Sequence, residues 1–182
     1  MPIVTLNNGD SALDFRNNLN SNFSFLDAKE PVIPMVKLGL NNAQATDDAT
    51  PSEFTIDWNT EPDSIKDSPF THSTVTNPSR VTVGVAGRYK IDCQLSITGS
   101  ASNYRFVADI WAKINGTTDL TKITDGYIRN TGGADESKLD YRNIVPLAAN
   151  DYIEILVQRL SDTAGTGQTI PDKCLLFITK VA

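Results

Sequence analysis

Residues 81–97 read VTVGVAGRYKIDCQLSI. Val81, Val83 and Val85 alternate with small or polar residues, Gly87 interrupts the run, and Tyr89, Ile91, Cys93, Leu95 and Ile97 resume the same period. Successive side chains of a strand point to opposite faces, so an apolar period of two marks strands with one buried side. With a glycine between the two runs, the stretch predicts a hairpin.

Downstream the pattern repeats. Phe106, Ala108, Ile110, Ala112 and Ile114 alternate up to Asn115 and Gly116, a dipeptide that tolerates positive φ and so suits a tight hairpin turn. A strand is predicted from Asp119 to Ile128, then an exposed loop from Asn130 to Glu136 containing Gly132 and Gly133. Tyr141, Asn143, Val145 and Leu147 share a face, a turn follows at Ala149 to Asp151, and Ile153, Ile155 and Val157 form the next apolar row. Leu160 to Asp172 reads as a loop.

The last predicted strand, Lys173 to Val181, is apolar on both faces: Cys174, Leu176 and Ile178 on one, Leu175, Phe177 and Val181 on the other. The outer face of a two-layer sandwich is normally wet, so a second apolar face predicts a subunit interface. Leu175 and Phe177 are its candidates, joined by Leu156 on the outer side of the 153–157 strand and by Tyr127.

Upstream, Met35 to Leu40 and Phe54 to Trp58 read as short strands, with Phe54, Ile56 and Trp58 inward, and Asn59 to Pro78 as mainly loop. The first residues differ. Asp10 or Ser11 can cap a helix, and Phe15, Leu19, Phe23 and Leu26 recur at spacings of four, four and three, a narrow apolar stripe set among poor helix formers. Such a stripe needs a partner, either copies of itself or another protein. Pro31 and Pro34 end the segment. The chain thus divides into an arm, residues 1–34, helical or extended, and a head, residues 35–182. Regularly spaced strands with no helix between them make the head an all-β sandwich or jelly roll.

Composition narrows the function. The chain has 182 residues, enough for one core and a tail. Its formal net charge of −6, with scattered Lys and Arg, provides no field for nucleic acid. No apolar run approaches a membrane span and the start lacks a secretory signal, so a soluble protein made in the cytosol is expected. Cys93 and Cys174 are expected to be free buried thiols, a single bridge being the alternative. His72, the one histidine, sits in a loop rich in Ser, Thr and Pro and reads as a solvated residue, not a base. Asp47, Asp48, Asp57, Glu61, Asp63 and Asp67 crowd one stretch without the alternate spacing and glycine of an EF-hand, which leaves only a structural Ca²⁺ between loops open. No catalytic residue, cofactor or metal site is assigned, and a non-enzyme is expected.

Several of these residues carry a resemblance. Val81 to Leu95, centred on Gly87-Arg88-Tyr89, is similar to the Gly-x-Tyr strand pair of the C1q and tumour-necrosis-factor-like jelly rolls. Ile114-Asn115-Gly116 resembles that family's hairpin turn, Leu147 to Ile153 its Leu-x-x-Gly-Asp turn with Asn150 in place of the glycine, and Leu175 to Lys180 its terminal strand. The resemblance covers roughly residues 54–182 and implies a ten-stranded jelly roll that assembles as a tight trimer and binds partners. Family members usually carry aromatics where this chain has Val81, Ile91 and Cys93. Thr5 to Ser11 and Arg16 to Phe23 resemble the opening of tailed-bacteriophage virion proteins. Together the two resemblances imply a bacteriophage virion component. The expectation is a homotrimeric capsid decoration or cement protein whose arm binds the major capsid protein or another virion protein. The alternative is the receptor-binding tip of a tail fibre or baseplate.

Overall fold

In the computed structural model, residues 33–45, 53–99, 104–120, 124–130, 136–159 and 167–181 are described. All belong to one unit, Ile33–Ala182. The Phe15, Leu19, Phe23 and Leu26 stripe lies outside the described residues, as do most of the 130–136 loop and residues 160–166 of the 160–172 loop.

Apart from one short 3-10 turn at Pro62–Ser64, the described elements are strands: β1 (Met35–Gly39), β2 (Glu53–Thr55), β3 (Phe70–Thr71), β4 (Val81–Val83), β5 (Gly87–Gly99), β6 (Tyr104–Ile114), β7 (Thr118–Asp119), β8 (Thr124–Asn130), β9 (Ser137–Leu147), β10 (Tyr152–Arg159), β11 (Gly167–Thr169) and β12 (Leu175–Lys180). They form two antiparallel sheets. In the first, β1 pairs β12, β12 pairs β5, and β9 takes the other edge of β5, while β11 continues the β12 row along β5. In the second, β3 pairs β4, β4 and β2 share one edge of β10, and β6 takes its other edge, flanked by β7 and β8. The chain passes repeatedly from sheet to sheet, which is the jelly-roll winding.

The 81–97 stretch is not a hairpin. β4 belongs to the second sheet and β5 to the first, so the two runs face one another across the core. Residues 84–86 make the crossing. Gly84 N donates to Pro69 O at 2.8 Å and Val83 N to Asp151 O at 2.9 Å, which leaves Val85 50% exposed instead of inside. Period two marks the buried faces of β4 and β5 but fails at Val85, beyond the end of β4, and it carries no information about which strand is the hydrogen-bonding neighbour. The Ala149 to Asp151 turn is a second crossing of this kind, from β9 to β10, and Asn150 takes φ 72° there, a left-handed conformation that asparagine tolerates better than other non-glycine residues. The Asn115-Gly116 turn is a true hairpin, with φ 53° and 68° and Thr117 N donating back to Ile114 O.

Val36, Leu38, Ile91, Leu95, Leu176 and Ile178 from the first sheet meet Val81, Val83, Ile110, Ile153, Ile155 and Val157 from the second, all of them buried. Trp58 and Ile56, inward as the alternation predicts, are also buried, although β2 ends at Thr55. Phe70 packs edge-on against Tyr89, centroids 5.7 Å apart, tying the edge of one sheet to the centre of the other. At the other side β8 and β9 approach so closely that a Cβ on Gly126 would lie 2.3 Å from Leu139 Cδ2. β11 was not anticipated: the 160–172 stretch reads as loop because Gly167, Gln168 and Thr169 are too few to show a period.

Candidate functional site

His72 is not solvated: its side chain is 0% exposed, Nε2 donates to Pro78 O at 3.0 Å, and Nδ1 lies 3.1 Å from Glu61 Oε1. A loop residue became a buried one because the 59–80 connector folds back over itself. Lys66 Nζ bridges Glu61 Oε1 (2.7 Å) and the His72 carbonyl (3.2 Å). Burial pushes the Glu61 carboxyl up, but the hydrogen bonds from Lys66 and His72 outweigh it and hold it below its ordinary range. With both ring nitrogens engaged, His72 serves as a tie across the connector. Cys93 and Cys174 are free and buried, as expected, and burial pushes both thiols up, away from the thiolate form that reacts. Among the described residues, no three His, Cys, Asp or Glu side chains gather to hold a metal ion.

The surface offers more. Pairing in the first sheet sets outward side chains in rows across β1, β12, β5 and β9: Met35, Thr179, Lys90, Ile144; then Lys37, Phe177, Asp92, Arg142; then Gly39, Leu175, Gln94, Asp140. Leu175 and Phe177 are therefore on the outer face, half-buried, with Ile144 47% exposed at the far edge. Polar groups lie between them. Asp92 pairs with Lys90 and, at 3.4 Å, with Arg142; Gln94 Nε2 donates to Asp140 Oδ1 at 3.2 Å; the Lys37 ammonium stands 5.9 Å from the Phe177 ring centroid. A shallow depression of about 400 Å³ opens between this charge cluster and the Leu175–Phe177 pair.

Leu156 and Tyr127 belong to the other sheet. Leu156 pairs with Trp111 on the side away from the core row of Ile153, Ile155 and Val157, and both are buried, at 5% and 1%. Tyr127, on β8, is 56% exposed. The structure brings Leu175 and Phe177 together but places Leu156 and Tyr127 on a different sheet from them. Of the four, Leu156 has the least surface left to offer.

One group on the second sheet has no counterpart in the sequence reading. Arg80 lies over the Tyr152 ring, 4.4 Å from guanidinium carbon to ring centroid, and its Nε donates to Glu154 Oε1 at 3.0 Å. Tyr152 and Thr82 are register partners, so these side chains point outward from β4 and β10. The only advance signal is the parity of Tyr152 and Glu154 against Ile153 and Ile155, which places them outside without saying what lies beside them.

No family model matches the sequence, and no curated protein matches it. Solved structures do match the fold. The Eiger TNF of S. frugiperda is similar over 82% of this chain and 93% of its own, with TM-score 0.54 and 14% identity. Murine APRIL at pH 5.0 is similar over 82% of this chain and 99% of its own, with TM-score 0.53 and 11% identity. The head is a TNF-like jelly roll.

Proposed function

We propose that this chain is a non-enzymatic virion structural protein of a bacteriophage, a homotrimeric capsid decoration protein. Its head self-associates through the outer face of the first sheet, and its first 34 residues attach it to the major capsid protein or another virion protein. The observation that carries self-association is the half-buried pair Leu175 and Phe177 on an outward sheet face, beside charges that already pair among themselves. Covering that pair removes apolar surface from water, while the adjacent Lys90, Asp92, Asp140 and Arg142 supply both signs of charge to fix one register against a neighbour. The TNF-like fold and the trimer its resemblance implies support the stoichiometry, and the N-terminal resemblance supports the virion.

Sedimentation equilibrium tests the first part. The full chain is expected at three times its mass, and Phe177→Arg at one, because the substitution places an unpaired charge in the seam. An unchanged mass for Phe177→Arg refutes the face. For the second part, Phe15→Asp with Phe23→Asp in the full chain is expected to leave the trimer intact and abolish binding to phage heads that lack the protein. The second reading, a receptor-binding tip, is favoured by the polar cleft beside Arg80 and Tyr152. Binding to host cells that blocks infection, with none to heads, selects it.

A further inference from the structure

At the edge of the second sheet, between β3, β4 and β10, lies a polar cleft of about 230 Å³. Thr71, Thr82 and Tyr152, outward register partners on the three strands, make one side of it. The 72–77 loop makes another and is already shaped. Ser73 Oγ accepts from the amides of Val75 (3.3 Å) and Thr76 (3.0 Å), Asn77 takes φ 50°, and its carbonyl accepts from Arg80 N at 3.0 Å. The buried His72 anchors the loop's start through Glu61 and Pro78.

Arg80 is the charged group of this cleft. Its Nε is held by Glu154 and its plane by Tyr152, yet its side chain is 42% exposed and its two Nη groups make no hydrogen bond among the described residues. A guanidinium fixed in this way presents a fork of donors matched to a carboxylate, with little ordering entropy left to lose. Around it, Thr71, Ser73, Thr76, Thr82 and Asn77 provide groups that both donate and accept, the chemistry that recognises neutral alcohols. No Leu, Ile, Val or Met side chain lines the cleft, so an apolar peptide anchor has nothing to bury against. Glu154 balances Arg80, and a net charge of −6 gives no long-range pull on a polyanion.

We propose that this cleft binds a sugar unit bearing a single carboxylate, of the uronic-acid type, with the carboxylate on Arg80 and ring hydroxyls on Thr71, Thr82 and the 73–77 loop. The proposal stands on the cleft alone and is independent of both the trimer face and the virion location.

The experiment titrates glucuronate, glucose, acetate and a triglutamate peptide separately into the isotope-labelled full chain, following the backbone amides of Thr71, Ser73, Thr82 and Tyr152. Glucuronate is expected to give saturable shifts at these positions, with glucose and acetate each binding more weakly. Arg80→Gln is expected to lower glucuronate affinity at least about ten-fold, the loss of a charge-assisted hydrogen-bond pair. Thr76→Ala, on the exposed loop, is expected to weaken binding while leaving the rest of the spectrum in place, so a disturbance by Arg80→Gln does not decide the matter. Absence of a saturable glucuronate shift overturns the proposal, as does Arg80→Gln binding as well as the parent. Acetate binding as tightly as glucuronate reduces the cleft to a bare carboxylate site and refutes the sugar. Tighter binding of triglutamate refutes it in favour of a peptide.

Discussion

The two sheets have equally dry inner faces and quite different outer ones. On the second sheet, the outward side chains of Trp111 and Leu156 are buried within the single chain, with the Lys113 ammonium 6.0 Å from the Trp111 ring centroid, while Tyr127 on β8 is exposed. On the first sheet, Leu175 and Phe177 keep part of their surface open beside a depression lined with both signs of charge. An apolar side chain on a sheet's outer face therefore has two meanings. Where the chain covers it, it extends the core; where the chain leaves it open next to matched charges, it is available to another molecule.

That contrast can be broken by mutation, beginning where the effect is largest. Trp111→Ala is expected to cost about 3–5 kcal/mol of folding stability, read as a shift in denaturation midpoint that does not depend on protein concentration, because the ring is packed within one chain. Gly126→Ala is next, at about 1–3 kcal/mol, since the new methyl runs into the buried Leu139 where the sheets close against each other. A midpoint unchanged by Gly126→Ala would show that the Leu139 side chain has room to turn aside.

Phe177→Ala is expected to be milder on the fold, about 1 kcal/mol or less at concentrations where the chain is dissociated, yet to raise the concentration at which it associates. If it costs as much as Trp111→Ala under dissociated conditions, the two outer faces are packed alike. The smallest effect concerns the connector. The Glu61 carboxyl is held below its ordinary 4.5 in the fold, so its contribution is present above that value and is lost as the pH falls through the lowered one. Glu61→Gln should therefore flatten the acid limb of the stability profile while lowering stability slightly at neutral pH; an acid limb that stays as steep places the dependence on another carboxylate.

Much of the fold was legible in particular residues. Tyr89, Ile91, Cys93, Leu95 and Ile97 announced the inner face of β5, Ile153, Ile155 and Val157 that of β10, and Asn115-Gly116 the tight turn that joins the paired β6 and β7. The hairpin misreading has a definite cause. Treating Val81 to Ile97 as a hairpin assumed that these two adjacent strands pair, whereas the chain crosses to the opposite sheet between β4 and β5. Leu175 and Phe177 could be read as an outward pair from their own strand. Their grouping with Leu156 and Tyr127 could not be tested from the sequence, because those residues face outward from another sheet.

His72 and Arg80 were illegible for a related reason. A histidine among Ser, Thr and Pro looks solvated until Glu61 and Pro78, far along the connector, are seen to enclose it, and an arginine ahead of a strand looks ordinary until Tyr152 and Glu154 come beside it from β10. The alternation along β5 and β10 was enough to give their core-facing sides, since a period of two is a local property of extended backbone. Which outward sides are covered and which share a surface follows from contacts between segments more than 70 residues apart, such as Arg80 and Glu154, and these no local pattern records.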